Sequence, residues 1–104
     1  MKQISFSEKC YLLLRKVPKG KVTTYKSIAN ALGIIAYRAV GNAMNKNQYS
    51  PFVPCHRVVK STGEIGGFSQ GRKKKIEMLK KEGLNIKNDK IVDFEKQSYR
   101  FNKK

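Results

Sequence analysis

Thr23-Thr24-Tyr25-Lys26-Ser27-Ile28-Ala29-Asn30-Ala31-Leu32-Gly33, followed closely by Tyr37-Arg38-Ala39-Val40-Gly41-Asn42-Ala43-Met44, is the stretch that decides the fold. Thr23 or Thr24 can cap a short helix on which Tyr25, Ile28, Ala29 and Leu32 recur at helical spacing, and Gly33 can end it in a left-handed conformation. The second helix sets Val40 and Met44 four residues apart for a core, and Gly41 lets a neighbouring backbone come close. Two short helices joined by a Gly-containing turn predict a helix-turn-helix, a shape that by itself specifies no ligand. Charge supplies the missing hint. Residues 1–60 hold 11 basic residues and one acid, Glu8, a local net of +10 that points to DNA rather than to an ordinary solvated face.

Working outward, Ser5-Phe6-Ser7-Glu8 has the Ser-x-x-Glu form of a capping box, and Phe6, Cys10, Leu13, Leu14 and Val17 continue at helical spacing until Pro18-Lys19-Gly20. Cys10 falls on the apolar face and reads as a small buried hydrophobe. Downstream, Arg57-Val58-Val59 is β-branched and extended, and Ser61-Thr62-Gly63 turns it into Glu64-Ile65, a short β-hairpin. Gly66 to Gly71 reads as a glycine-rich loop without the spacing of a phosphate loop. Arg72 to Glu82 reads as a helix with Ile76 and Leu79 inward, Lys73, Lys74, Lys75, Lys80 and Lys81 mostly outward, and Gly83 as its stop. Ile91-Val92-Asp93-Phe94 adds a short strand or packed tail, and Lys103-Lys104 frays. The fold class expected is mainly α with a short β-hairpin, a winged-helix-like helix-turn-helix domain.

The whole chain of 104 residues carries 23 basic and seven acidic residues, a net charge of +16. That balance favours a polyanionic partner. No apolar stretch approaches a membrane-spanning length and no signal-like segment begins the chain, so an intracellular monomer is expected, cytoplasmic and nucleoid-associated, or nuclear in a eukaryote, with no membrane partner. Two cysteines and one histidine make no metal-ligand cluster, and neither a metal nor another cofactor is expected.

The chemistry concentrates in Pro54-Cys55-His56-Arg57-Val58-Val59. Cysteine attacks as the thiolate, and a neighbouring base or cation makes that form accessible. Consecutive residues of a strand point to opposite faces, so Cys55 and His56 can cooperate only through a turn after Pro54 or a bridging water.

These motifs together resemble the O6-alkylguanine-DNA alkyltransferase family. The run Pro54 to Val59 is preceded by Val22-Thr23-Thr24-Tyr25 and by Tyr37 to Met44, and followed by Gly66-Gly67-Phe68-Ser69 and Leu79-Lys80-Lys81-Glu82-Gly83, in consistent order over residues 4–84. The resemblance implies direct, irreversible transfer of an alkyl group from O6-alkylguanine in double-stranded DNA to Cys55. It implies that His56 takes the thiol proton through a water, that Glu82 orients His56, that Asn47 braces the turn and that Tyr25 donates to the flipped base. Arg38 would enter the base stack, with Tyr37, Ala39, Gly41, Asn42, Thr24, Lys26, Ser69 and Lys75 as further DNA contacts. Val58, Ile65, Gly66, Phe68 and Ser69 would line the pocket. An O6-alkyl carbon suits a soft nucleophile, and flipping the base costs a few kcal/mol of stacking and pairing.

Family members commonly carry an additional N-terminal domain, so a single-domain form over 1–104 with a C-terminal extension from 85 is expected. Phe68 stands where relatives often have tyrosine. In length and tail the chain is similar to the alkyltransferase-like proteins, which bind the lesion without transfer but have another residue at the position of Cys55. A basic helix-turn-helix regulator with Cys55 as a redox sensor is the third alternative.

Overall fold

The computed structural model describes residues 5–35, 37–46, 53–68 and 70–101. Its elements run α1 (Phe6–Leu14), β1 (Thr23–Thr24), α2 (Tyr25–Ala31), α3 (Tyr37–Asn45), a 3₁₀ turn (Cys55–Arg57), β2 (Val58–Val59), α4 (Arg72–Lys81), β3 (Ile86–Lys87), β4 (Lys90–Ile91) and α5 (Phe94–Gln97). The architecture is mostly helical with small strands, as the sequence predicts.

Local chemistry sets the helix ends. Ser5 N–H donates to Glu8 Oε1 at 2.8 Å while Glu8 N–H donates to Ser5 Oγ at 3.1 Å, a complete capping box for α1. Thr24, not Thr23, caps α2, accepting from Ser27 N–H at 2.9 Å. At the other end of α2, Gly33 has φ +75°, and N–H groups of Gly33 and Ile34 donate to Asn30 and Ala29 carbonyls. That is a Schellman closure. α4 ends the same way, with Gly83 N–H on Lys80 O and Leu84 N–H on Leu79 O, and Leu84 buried in the cluster that holds Leu79.

One core joins α1, α2, α3 and the 3₁₀ turn through Cys10, Leu14, Val17, Ile28, Val40, Met44, Cys55 and Val58. A second joins Val22, Val59, Ile65, Leu79, Leu84 and Ile91. Val58 and Val59 are neighbours in sequence but belong to different cores, because successive strand residues face opposite ways. β2 is therefore the seam of the molecule.

The strand pairing differs from the expected hairpin at 58–65. The turn is present, with Lys60 N–H donating to Glu64 O at 2.9 Å and Gly63 N–H to Lys60 O at 2.8 Å. β2 nevertheless pairs in parallel with β1, Thr23 opposite Val58 and Thr24 opposite Val59, while Glu64 bridges to Lys90. A strand buried on both faces suits a parallel partner whose other side is covered by helices. The antiparallel hairpin lies downstream, as β3 with β4.

Gly33 and Gly63 test how the turns are held. Nothing stands within 4 Å of a Cβ at Gly33, whereas a Cβ at Gly63 (φ +91°) would lie 3.1 Å from Phe94 Cγ. Gly33→Ala should cost about 1 kcal/mol for its left-handed backbone. Gly63→Ala should cost roughly 1 kcal/mol more, through the added contact. Urea unfolding of the two variants measures the difference, and equal losses would show that Phe94 yields without cost.

Candidate active site

Pro54 delivers the chain into a tight turn in which Arg57 N–H donates to Pro54 O at 2.9 Å and Val58 N–H closes on Cys55 O. A 3₁₀ turn rotates consecutive side chains by about a third of a revolution rather than half. Cys55 and His56 are thus released from the opposed geometry of a strand. Both are buried, Cys55 4% and His56 1% exposed.

The anchor of this turn is Glu82, the residue that caps α4. Arg57 holds it with two parallel bonds, Nε to Oε1 at 2.9 Å and Nη2 to Oε2 at 2.7 Å, and His56 Nε2 lies 2.9 Å from Oε2. Arg57 Nη1 donates to the carbonyl of Val17, just beyond α1, at 2.7 Å. Burial would raise the Glu82 carboxyl above its ordinary range, but the hydrogen bonds and charges of Arg57 and His56 outweigh it and hold the group below.

An ionised Glu82 accepts only, so the His56 proton sits on Nε2 and the lone pair is on Nδ1. Burial pushes His56 below its ordinary value, more than the hydrogen bond and charge of Glu82 raise it. The imidazole is therefore neutral at pH 7. Nδ1 is buried and has no hydrogen-bond partner among the described residues, which leaves it as the basic atom of the site. Cys10 offers a contrast, since burial pushes its thiol up to about 11 and keeps it protonated in the core. Neither cysteine is in a disulfide.

Lys75 corrects the sequence reading. Expected outward and against DNA, it is fully buried on α4, four residues before Leu79 on the same face. Its Nζ donates to the carbonyls of Val58 at 2.6 Å and Gly67 at 3.0 Å, which explains how the ammonium is tolerated. Burial lowers its pKa from 10.5 to about 8, opposed by its electrostatic interaction with Cys55. Lys75 therefore pins the strand after the turn to the glycine-rich loop and interacts electrostatically with Cys55.

A groove of about 530 Å³ separates α3 from the 60–64 turn, lined by Tyr25, Lys26, Tyr37, Arg38, Gly41, Asn42, Asn45, Lys60, Ser61, Thr62 and Glu64. Of the expected DNA contacts it gathers Lys26, Tyr37, Arg38, Gly41 and Asn42 with Tyr25. A Cβ at Gly41 would meet the Tyr25 ring rather than a backbone, at an ordinary 4.0 Å. Ala39 is half-buried on α3. Thr24 is not available in the expected way, since its hydroxyl accepts from Ser27 N–H and donates to Ser27 Oγ while 7% exposed. Tyr25 is raised above its ordinary value, by burial first and by the Cys55 charge second, so it remains a phenol able to donate.

The expected pocket residues divide similarly. Val58 and Ile65 bury their side chains in the two cores, leaving only backbone for a pocket. At Gly66 a Cβ would lie 3.6 Å from the Tyr25 hydroxyl, and Phe68 packs half-buried against the first core. Asn47 and Ser69 lie outside the described residues. Sequence reasoning missed Arg57 as the clamp on Glu82 and Lys60 in the groove wall. Among the described residues no cluster of side chains suits a metal ion, and no helix is long and apolar enough to cross a membrane.

The family model for the DNA binding domain of 6-O-methylguanine DNA methyltransferase matches residues 5–84. The chain is 39% identical over 103 residues to the bifunctional methyltransferase/endonuclease of Picrophilus torridus, covering 98% of this chain and 34% of that protein. It is 44% identical over 86 residues to the methylated-DNA–protein-cysteine methyltransferase of Saccharolobus islandicus, covering 83% of this chain and 56% of the relative. Both matches therefore leave a large part of the relative unspanned. Among solved structures, S. pombe Atl1 in complex with damaged DNA containing O6-carboxymethylguanine superposes with a TM-score of 0.79 at 29% identity, covering 97% of this chain and 100% of that one.

Lys75 makes a prediction about stability. Its folded pKa of about 8 lies below the ordinary 10.5, so between those values the unfolded chain binds the extra proton. The Lys75 contribution to stability thus rises with pH across that window. Urea titrations from pH 7 to 10.5 should show that rise in the difference between wild type and Lys75→Met, and a pH-independent difference would place the ammonium in solvent.

Proposed function

Because the chain belongs to the family of the 6-O-methylguanine DNA methyltransferase DNA-binding domain, we propose that it binds duplex DNA carrying O6-alkylguanine and takes the alkyl group onto Cys55 in a single irreversible turnover. The observation that carries this is the buried Cys55 turn, with His56 held neutral on Glu82, and Tyr25, which lines the groove and is close enough to interact electrostatically with Cys55.

The mechanism follows from those groups. His56 Nδ1 receives the Cys55 proton, directly or through a water, and Glu82 stabilises the imidazolium that forms. Cys55 Sγ attacks the alkyl carbon in line with the C–O6 bond. The S–C bond forms as C–O6 breaks, the electron pair leaves on guanine, and guanine gains one proton, for which Tyr25 is the positioned donor. The thioether cannot be reversed by any group at hand. Arg38, exposed on α3 in the groove wall, is suited to fill the gap left by the extruded base. Lys26 and Tyr37 would contact the backbone without reading sequence, as a lesion that occurs anywhere requires. Asn47 and Ser69 keep the roles that the family pattern implies, bracing the turn and lying near O6.

A second reading is lesion binding without transfer. It is favoured by the superposition on Atl1 over the full length of that protein. Cys55 beside a neutral histidine favours transfer.

Incubation with a duplex containing O6-methylguanine should add one methyl group to Cys55, seen by peptide mass. Cys55→Ser should lose transfer and keep binding. An unmodified Cys55 in a protein that still prefers the lesion would overturn transfer in favour of the second reading. Glu82→Gln should slow transfer by about 10²-fold with duplex affinity unchanged. Because His56 titrates below its ordinary value, the wild-type rate should hold through neutrality and fall only on the acid side of 6.5. Stopped-flow or quench rates across pH measure both.

A further inference from the structure

The C-terminal segment is built into the domain. Val22 N–H donates to Gln97 O at 2.9 Å and Tyr99 N–H to Val22 O at 2.7 Å, so Ser98 bridges Val22 in parallel and the segment extends β1 by one more edge. Ser98 Oγ donates to Phe94 O at 2.7 Å and Lys21 Nζ to Lys96 O at 3.0 Å. Tyr99 and Phe101 pack edge to face, centroids 5.3 Å apart, against the first core. Arg100, between them, is exposed.

Arg100 borders a cleft of about 340 Å³ that Thr23, Lys26, Ser98 and Tyr99 also line. Three features define what it would take. Two cations face it against one acid, Glu95. Thr23 is 1% exposed and its Oγ1 has no hydrogen-bond partner among the described residues, so a buried hydroxyl stands without one at the cleft wall. Lys26 and Ser61 line this cleft and the 530 Å³ groove alike, so the two lie side by side. An anion with several acceptor oxygens meets the first and the last of these, and the Thr23 hydroxyl only once its side chain turns outward.

We infer that the cleft between Lys26 and Arg100 takes a backbone phosphate of the same duplex, so that the C-terminal segment is a second DNA-contact element beyond the helix-turn-helix. The inference rests on the groove binding DNA but not on alkyl transfer, because a phosphate contact is independent of the lesion.

The test is anisotropy with an undamaged labelled duplex over a salt series, comparing wild type with Arg100→Ala, Arg100→Lys, Arg100→Glu and Lys9→Ala, the last an exposed α1 cation that lines neither cleft. One lost phosphate contact should flatten the slope of log affinity against log salt by about 0.9, so the deficit of Arg100→Ala should shrink about threefold between about 50 and 200 mM salt. Arg100→Lys should recover most of the affinity, Arg100→Glu should fall below Arg100→Ala, and Lys9→Ala should leave the slope unchanged. An Arg100→Ala variant with wild-type affinity and slope, or one matched by Lys9→Ala, overturns the inference alone. A wild-type chain that binds no duplex overturns both it and the proposed function.

Discussion

The site depends on Glu82 being held ionised in a place that does not favour a negative charge. It is largely withdrawn from water and sits at the C-terminal end of α4, where the helix dipole disfavours an anion. The Arg57 fork reverses that preference by supplying the opposite charge at 2.7 Å in the bidentate geometry that carboxylate and guanidinium share. The same guanidinium reaches the Val17 carbonyl. The end of α1, the Cys55 turn and the end of α4 are thus joined through one side chain. Only with Glu82 so fixed does His56 keep its proton on Nε2 and its lone pair on Nδ1.

β2 transmits that order to the rest of the fold. Val58 closes the core of the helix-turn-helix and Val59 the core under α4, so the turn immediately before them cannot shift without disturbing both. Pairing with β1 adds the other constraint. α2 starts directly after Thr24, and the register of Thr23 with Val58 therefore carries Tyr25 to the Cys55 turn from a distant part of the chain. Lys75 completes the frame by drawing Val58 and Gly67 carbonyls to one ammonium.

What was legible in the sequence is what local rules govern. Ser5 and Glu8, Thr24, Gly33 and Gly83 announce the helix ends because each satisfies backbone groups within a few residues. The burial of Cys10 follows from helical spacing. Three features were not legible in that way. The parallel pairing of β1 with β2 joins two-residue strands too short to show a period. Lys75 looks like its neighbours Lys73 and Lys74, and what buries it is a pair of carbonyls supplied by other segments. Arg57 reads as the polar start of a strand, and its clamp on Glu82 exists only once α4 is folded beside the turn. The resemblance supplied the pairing of His56 with Glu82, and geometry supplied the reason that the pair holds.

The distribution of acids follows from the same economy of local roles. Of seven acidic residues, Glu8 closes a cap, Glu82 is neutralised by Arg57, Asp89 lies 3.4 Å from Arg72 and Glu64 accepts from Thr62. Two of these are matched to a specific cation, which leaves most of the 23 basic side chains without a compensating acid. Lys75 is withdrawn into the interior, but Lys26, Arg38 and Lys60 stand along the groove with Glu64 as its single acid. A field of one sign over a groove acts to about the Debye length, ~8 Å at physiological salt, well before any contact forms. It gathers a polyanion without selecting its sequence. On the proposed function, selection is left to the buried turn, where Cys55 would meet only a group that has been brought out of a stack and into reach of Tyr25.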